Sequence, residues 1–462
     1  GTRIIFCLPI SLVMASPKKA NPPLGLILKL FHFPRGCPQP FDIKDSIGKG
    51  LLDPNANKRL ELLQELRRTL EKLWGKDLGK TIIPRAETKN AASAPEVLGC
   101  IDAYWPALLQ LILSVETDPD AVRPCSEFVV EWPSPLTRVA IKVKLNKVAN
   151  SDHIKGALYL EAAMLLFNRA MMLYDDARLG LGSACTGDVK VAAEKLRLGA
   201  GVFEYLVGRI ENEWATHLCS LVTLEQRPLE TTPPCCNSLR DVFLAQAQGL
   251  AVAQALKAPG GYKASILCKL SRGVAVLLEG AVSHLRSSVP KADELITGVA
   301  AKADERGTLF DYLGLLVHAW QACSHRFFAE ELWAKEQYGQ AVAHQEACVE
   351  SCRLACVGQG TPKSGERSRL GGQLTPLWDD LSTWRAAEEE TLALWSHDNS
   401  SIYYDAVPLG RDRDPLPLHH VMMQPIAMTH LEDVIPISLH RADDHSAAVA
   451  AEVMAAASAA GI

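Results

Sequence analysis

The sequence predicts an all-α protein, an elongated helical solenoid or bundle with a tetratricopeptide-like core and a small β-hairpin near residues 127–145. Three observations carry this expectation. Long stretches repeat apolar residues at three- and four-residue steps, the period of a buried helix face. Alanine is abundant, while Phe, Trp and Tyr together make up only 6% of 462 residues, which favours helix over sheet. A single short stretch alternates apolar and polar residues instead, the period of a strand.

From the N-terminus, Ile4–Met14 (IIFCLPISLVM) follows Arg3 and has the look of a short signal-peptide core. Pro9 interrupts it, and about eleven residues are too few to span a bilayer. Met14 opens MASPKKANPP, so residues 1–13 are read as upstream sequence and 1–23 as an N-terminal extension. Leu24–Phe33 is a short apolar run. In Asn57–Lys76, Leu60, Leu63, Leu66, Leu70 and Leu73 fall on one side of an amphipathic helix whose charged residues are expected to face outward. Pro95–Val115 reads as a second helix. Within Glu127–Leu145, Phe128, Val130 and Trp132 alternate with their neighbours, Pro133-Ser134-Pro135 turns the chain, and Val139, Ile141 and Val143 alternate again.

Long helices are expected over 153–178, 188–213, 238–257, 262–287, 308–357 and 376–396, punctuated by Pro228, Pro233-Pro234, Pro259-Gly260-Gly261 and Pro290. Antiparallel helices joined by short turns stack into a solenoid or an elongated bundle. No strict sequence period accompanies them, so the repeat is structural. Residues 358–372 (GQGTPKSGERSRLGG) read as a flexible linker. After Tyr404 the chain is rich in proline and is expected to wrap back over the helices as extended segments. The main domain is placed at 24–440 and an Ala-rich tail at 441–462. No run of 18 apolar residues appears, so no transmembrane helix is expected.

Composition and motifs argue mainly by exclusion. A net charge of −5 with 22% charged residues lacks the basic face that nucleic-acid binding needs. The 13 cysteines, an odd number in a long chain, read as reduced thiols of a cytosolic protein. Cys348, Cys352 and Cys356 recur every four residues. On one helix the third lies about 12 Å from the first, too far to share a zinc ion, so they read as small buried residues. Paired carboxylates at Asp175-Asp176, Asp379-Asp380 and Glu388–Glu390 read as solvated helix faces. No phosphate loop, dinucleotide fingerprint or nucleophile motif is present. Accordingly no catalytic residue, metal, cofactor or small-molecule substrate is expected.

One helix carries more apolar surface than its own core requires. In 262–287 the core stripe is Leu267, Val274, Leu278 and Leu285, with Ala281 between. Ile266 lies about 100° from that stripe, with Leu270 and Leu277 on its near side. Lys263, Lys269 and Arg272 border this second flank. An apolar strip with a basic rim suits an acidic amphipathic helix. The alternative is that Ile266 and Leu270 pack against a third helix.

Five segments in order, Leu160–Ala177, Val191–Leu206, Phe243–Gln248 (FLAQAQ), Glu336–Ala343 (EQYGQAVA) and Ser401–Pro408 (SIYYDAVP), together resemble the BRO-one domain, the ESCRT-associated module of Alix and rhophilin. The resemblance covers roughly residues 24–440 and is to the stand-alone form. It implies a boomerang-like fold and a non-catalytic scaffold that binds the C-terminal amphipathic helix of an ESCRT-III subunit in endosomal sorting. It also implies a cytoplasmic protein recruited at most peripherally to endosomal membranes. The family's partner-helix patch falls on Ala251, Ile266 and Leu270, with Lys269 at its rim. Ala251 stands where the family member compared has a large aromatic, and Leu250 or Val252 would have to fill the space. The family's acidic residue falls near Thr186, with Asp188 two positions on. Tyr404 takes the place of a histidine in the family's loop motif. A diverged adaptor reading another peptide, or a helical enzyme or regulatory domain with no recognisable site, are the alternative functions.

Overall fold

Successive long helices stack in chain order, each on its predecessor. The computed structural model describes residues 22, 43–44, 51, 53–75, 93–118, 128–134, 136, 140–145, 151–181, 188–221, 228–258, 262–288, 309–357, 371–428, 434–437 and 439. Helix α1 spans Pro54–Gly75 and α2 spans Ala94–Thr117. The hairpin follows as β1 (Phe128–Pro133) and β2 (Ala140–Leu145), then α3 (Ser151–Leu181) and α4 (Val189–Arg209). A π-helical turn, Ile210–Trp214, leads into the short α5 (Ala215–Leu221), and a 3-10 turn at Leu229–Thr231 precedes α6 (Pro233–Leu256). Helices α7 (Ala264–Ser288), α8 (Leu309–Ala334), α9 (Tyr338–Val357) and α10 (Gly371–Asp398) complete the stack. The all-α expectation with one hairpin holds. The 1–23 extension apart from Pro22, the Leu24–Phe33 run, residues 358–370 of the linker and the 441–462 tail lie outside the described residues.

Local sequence explains the element ends. Ser93 caps α2 and Glu96 reaches back to the Ser93 amide, a reciprocal box that satisfies two orphan donors. Prolines in its first turn start α6, where no N–H partner is needed. Helix α3 is buried on nearly every side, from Ala157 through Tyr174, because α2 and α4 flank it. A helix covered on two sides loses its polar face. For the same reason α2 is, by length and composition, apolar enough to cross a membrane. It was not expected to be, yet its apolar residues pack against α1 and α3.

In the hairpin, Val130 pairs with Val143 and Trp132 with Ile141 in antiparallel register. Val130, Trp132 and Val143 are buried on one face. The loop is held by Glu230, whose carboxylate accepts from Ser134 Oγ (2.6 Å) and the Leu136 amide (3.0 Å). Burial raises the pKa of Glu230 above the usual carboxylate value.

Several corrections concern charge and helix ends. Arg67 does not face outward from α1. It is fully buried, and its Nε lies 2.6 Å from Glu161 Oε1 of α3. Glu161 also accepts from Tyr104 Oη and Trp132 Nε1, so one carboxylate ties α1, α2, β1 and α3 together. Glu388 and Asp175 are buried, not solvated. Glu388 of α10 pairs with Arg326 of α8 at 2.9 Å and accepts from Gln345 of α9 at 2.7 Å. Asp175 pairs with Arg178. The helix expected over 308–357 breaks at Glu336, whose φ of 61° is left-handed. Gln337 N–H reaches back to Leu332 O and Glu336 N–H to Trp333 O, the double bond of a Schellman turn built without its usual glycine. Finally, α10 begins at Gly371, inside the expected linker, and the 188–213 helix passes through a π turn that carries Trp214 onto Tyr159, rings 5.2 Å apart.

Candidate functional site

Helices α4, α6 and α7 stack consecutively and bring the expected patch residues to one end of the α6–α7 hairpin. Ala251 is half-buried near the C-terminus of α6, and Ile266, in the first turn of α7, is 52% exposed. Leu270, one turn further, is only 7% exposed, so the second apolar flank divides between solvent and core. Lys269 is exposed, and its backbone carbonyl accepts from the His420 amide at 3.1 Å. Asp188 is the N-cap of α4, accepting from the amides of Lys190 (2.9 Å) and Val191 (3.2 Å). Its carboxylate serves the helix terminus. Leu250 and Val252 are both fully buried and do not fill the space beside Ala251.

That space is a pocket of about 210 Å³ between α4 and α6, lined by Val189, Lys190, Ala193, Glu194, Arg197, Ala251 and Gln254. Met423 and Ile426, from the segment after α10, close one side of it. No sequence periodicity marks these two residues, because they belong to extended chain laid across helices.

The segment begins at a π-helical turn, Asn399–Tyr403, ended by Tyr404 at φ 60°. Tyr403 stacks on Tyr338 with ring centroids 3.5 Å apart. Asp405 then caps α9, accepting from the amides of Tyr338 (3.0 Å) and Gly339 (3.4 Å). From there the strap runs back across the stack, passing α9, α7, α4 and finally α2. Arg272 donates to the carbonyls of Leu416 and Pro417. Gln248 of α6, the last residue of FLAQAQ, donates to His420 O (2.9 Å) and accepts from Met422 N–H (2.9 Å). Arg197 Nε donates to Gln424 O (2.8 Å), and Ile426 N–H to Arg197 O (3.0 Å). Further on, Gln110 donates to Ile435 O and Ile437 N–H to Ser114 Oγ. Glycine occurs at three of the crossings. A Cβ on Gly339, Gly273 or Gly201 would overlap Ala406, His420 or Ile426, respectively. Main chain lies directly on main chain there, which only glycine permits.

Two histidines lie beneath the strap. Nδ1 of His325 (α8) and Nδ1 of His344 (α9) are 3.0 Å apart, a spacing that needs one nitrogen protonated and the other bare. Burial lowers the pKa of His325 to about 3, aided by His344 and by Arg413 of the strap. Burial and Arg413 lower His344 to about 4. The pair is neutral at pH 7 and packs against Phe328.

Cys100, Cys235, Cys236, Cys268, Cys323, Cys348, Cys352 and Cys356 are free thiols, and all but Cys100 are buried. Among the described residues no group of His, Cys, Asp or Glu is placed to hold a metal. The arrangement supplies apolar surface, a polar rim and a strap.

The BRO1-like domain family matches residues 138–455 of this chain. No curated protein matches in sequence. Among solved structures, ALIX in complex with the SIVmac239 PYKEVTEDL late domain is similar over 89% of this chain, with 15% identity and a TM-score of 0.57, and the match spans half of that longer chain. The ALIX BRO1–CHMP4C complex is similar over 89% of this chain and 99% of its own, with 16% identity and a TM-score of 0.57. A Bro1 domain described as a basis for endosomal targeting is similar over 86% of this chain and 92% of its own, with 15% identity and a TM-score of 0.56. These likenesses establish a shared helical fold.

Proposed function

The chain belongs to the BRO1-like domain family, and from that premise we propose that it is a non-catalytic scaffold that binds the C-terminal amphipathic helix of an ESCRT-III-type subunit. The observation that carries the reading is the surface at the α6–α7 turn. Ile266 is exposed in the first turn of α7, and half-buried Ala251 of α6 lines a pocket. An amphipathic helix docks by placing apolar anchors in such a groove. The basic residues Lys190, Lys263 and Lys269 around it favour an acidic helix. The structural likeness to a BRO1 domain in complex with CHMP4C supports this class of partner. On this reading the protein is cytoplasmic, is recruited to endosomal membranes through its partner, and acts in sorting or membrane remodelling.

The test is titration of the full chain with a fluorescently labelled CHMP4C C-terminal helix, for the natural sequence and for Ile266→Asp. Ile266 is exposed, so the variant keeps its fold. Saturable binding weakened at least tenfold by Ile266→Asp is expected. Binding that ignores the substitution would place the partner elsewhere on the protein.

A further inference from the structure

We infer that residues 409–428 form a detachable strap, which leaves the helices as one unit while the stack beneath stays folded, and that its docking makes or removes one wall of the candidate site. The bearing on the site rests on the proposed function, whereas the undocking does not.

The strap has little side chain to bury. None of residues 409–428 is buried, Leu418 is 85% exposed, and Leu416, Met423 and Met428 reach the core while only half-buried. Its hold is hydrogen bonding to its main chain. The Asp414 amide donates to Gln340 Oε1 of α9 (3.1 Å), and the His420 amide to Lys269 O of α7 (3.1 Å). The Met422 amide donates to Gln248 Oε1 of α6 (2.9 Å), and the Ile426 amide to Arg197 O of α4 (3.0 Å). Arg272, Gln248 and Arg197 donate back to strap carbonyls. Water replaces each of these bonds when the strap lifts, so their net worth is small. The helices beneath are different, since Phe203, Leu206, Phe243 and Leu250 are fully buried. A segment with few buried apolar contacts opens at a lower free energy than such a core.

Proline makes the strap one unit. Pro415 and Pro417 lie between the Asp414 and His420 crossings, and Pro425 between those of Met422 and Ile426. A fixed φ stiffens these short spacers, so release at one crossing is transmitted to the next. Both ends stay tied, Asp405 to the first turn of α9 and Ile437 to Ser114 of α2. The strap therefore lifts as a tethered loop and docks again. Lifting takes Met423 and Ile426 away from the pocket that Ala251 lines. At the other end it uncovers His344, which is fully buried beside Arg413 and Asp414.

Hydrogen exchange of the full chain reads the four strap amides apart from the helices. Asp414, His420, Met422 and Ile426 should show protection within about fivefold of one another and roughly a hundredfold below that of Phe203 and Phe243. Arg272→Ala removes the contacts to Leu416 and Pro417 at the α7 crossing alone. All four amides should then accelerate together by roughly tenfold, with α4 and α6 unchanged. Carbethoxylation of His344 should accelerate by the same factor. Acceleration confined to His420 and Met422, an unchanged rate at His344, or exchange of the four amides only with global unfolding would overturn the inference. Saturating CHMP4C C-terminal helix should slow all four amides of the natural sequence, Asp414 included, because a partner that touches Met423 and Ile426 favours the docked strap. Binding that slows none of them, or only Met422 and Ile426, would overturn the coupling to the site. A helix that fails to bind would overturn the proposed function, and the Arg272→Ala comparison would still decide the strap.

Discussion

Gly201 lies directly beneath Ile426. A side chain at Gly201 would overlap the Ile426 carbonyl, and the Ile426 amide donates to the carbonyl of Arg197, one helical turn before Gly201. The strap is therefore seated on the backbone of α4, and one wall of the candidate groove depends on a residue that has no side chain.

Gly201→Ala should release this seat without unfolding the helix. Within α4 the substitution favours helix by roughly 0.5–1 kcal/mol. Against that, the strap must lift, losing hydrogen bonds of about 0.5–1.5 kcal/mol each. Global stability should change by less than about 1 kcal/mol, while hydrogen exchange at Met422–Ile426 accelerates at least tenfold. Unchanged exchange at these amides would show that the strap tolerates the added methyl.

Arg67 and Glu161 form the other central relationship. Both are fully buried and 2.6 Å apart. Removing one partner of a buried pair strands the other charge at a cost of roughly 3–5 kcal/mol. Arg67→Met should lower stability by about that amount in chemical denaturation. Adding Glu161→Leu should recover much of it, although Tyr104 and Trp132 would lose their acceptor. A double variant no more stable than Arg67→Met would show that the polar network, not the stranded charge, governs the cost.

The His325–His344 pair sets a pH dependence. Both are depressed in the folded state, to about 3 and about 4, from 6.5. Between these values the unfolded chain binds protons that the folded chain refuses. Stability is therefore unaffected above pH 6.5 and falls as pH drops from 6.5 toward 4. The slope is about 1.4 kcal/mol per pH unit for each fully unprotonated group. Arg413 and Arg272 are the nearby cations that reinforce the shift. Denaturation midpoints measured from pH 7 to pH 5 should fall more steeply for the natural sequence than for His344→Phe. Parallel curves would remove the pair as the source.

Asp405 caps α9 through the amides of Tyr338 and Gly339. Asp405→Ala should cost about 0.5–2 kcal/mol and raise exchange in the first turn of α9. Asp405→Asn, which keeps an acceptor oxygen, should lose less. Equal losses would assign the effect to the carboxylate's charge at the helix N-terminus.

The helical stack and the hairpin are legible in the residues alone, because periodicity records which face of each element is buried. Leu60, Leu63 and Leu70 mark the buried face of α1, and Val130, Trp132 and Val143 that of the sheet. The same ordered motifs disclosed the family. What periodicity cannot record is burial from a second direction. Arg67 and Glu388 read as solvated charges until tertiary contacts supplied their partners. Leu270 and Ile266 sat on one apolar flank of α7, and tertiary packing separated them into core and surface. The break at Glu336 carries no glycine or proline to announce it. The pocket beside Ala251 has the same origin. Its floor comes from two helices and its wall from a strap some 170 residues further on. Volume left open between distant segments is a property of their packing, and no local pattern of residues encodes it.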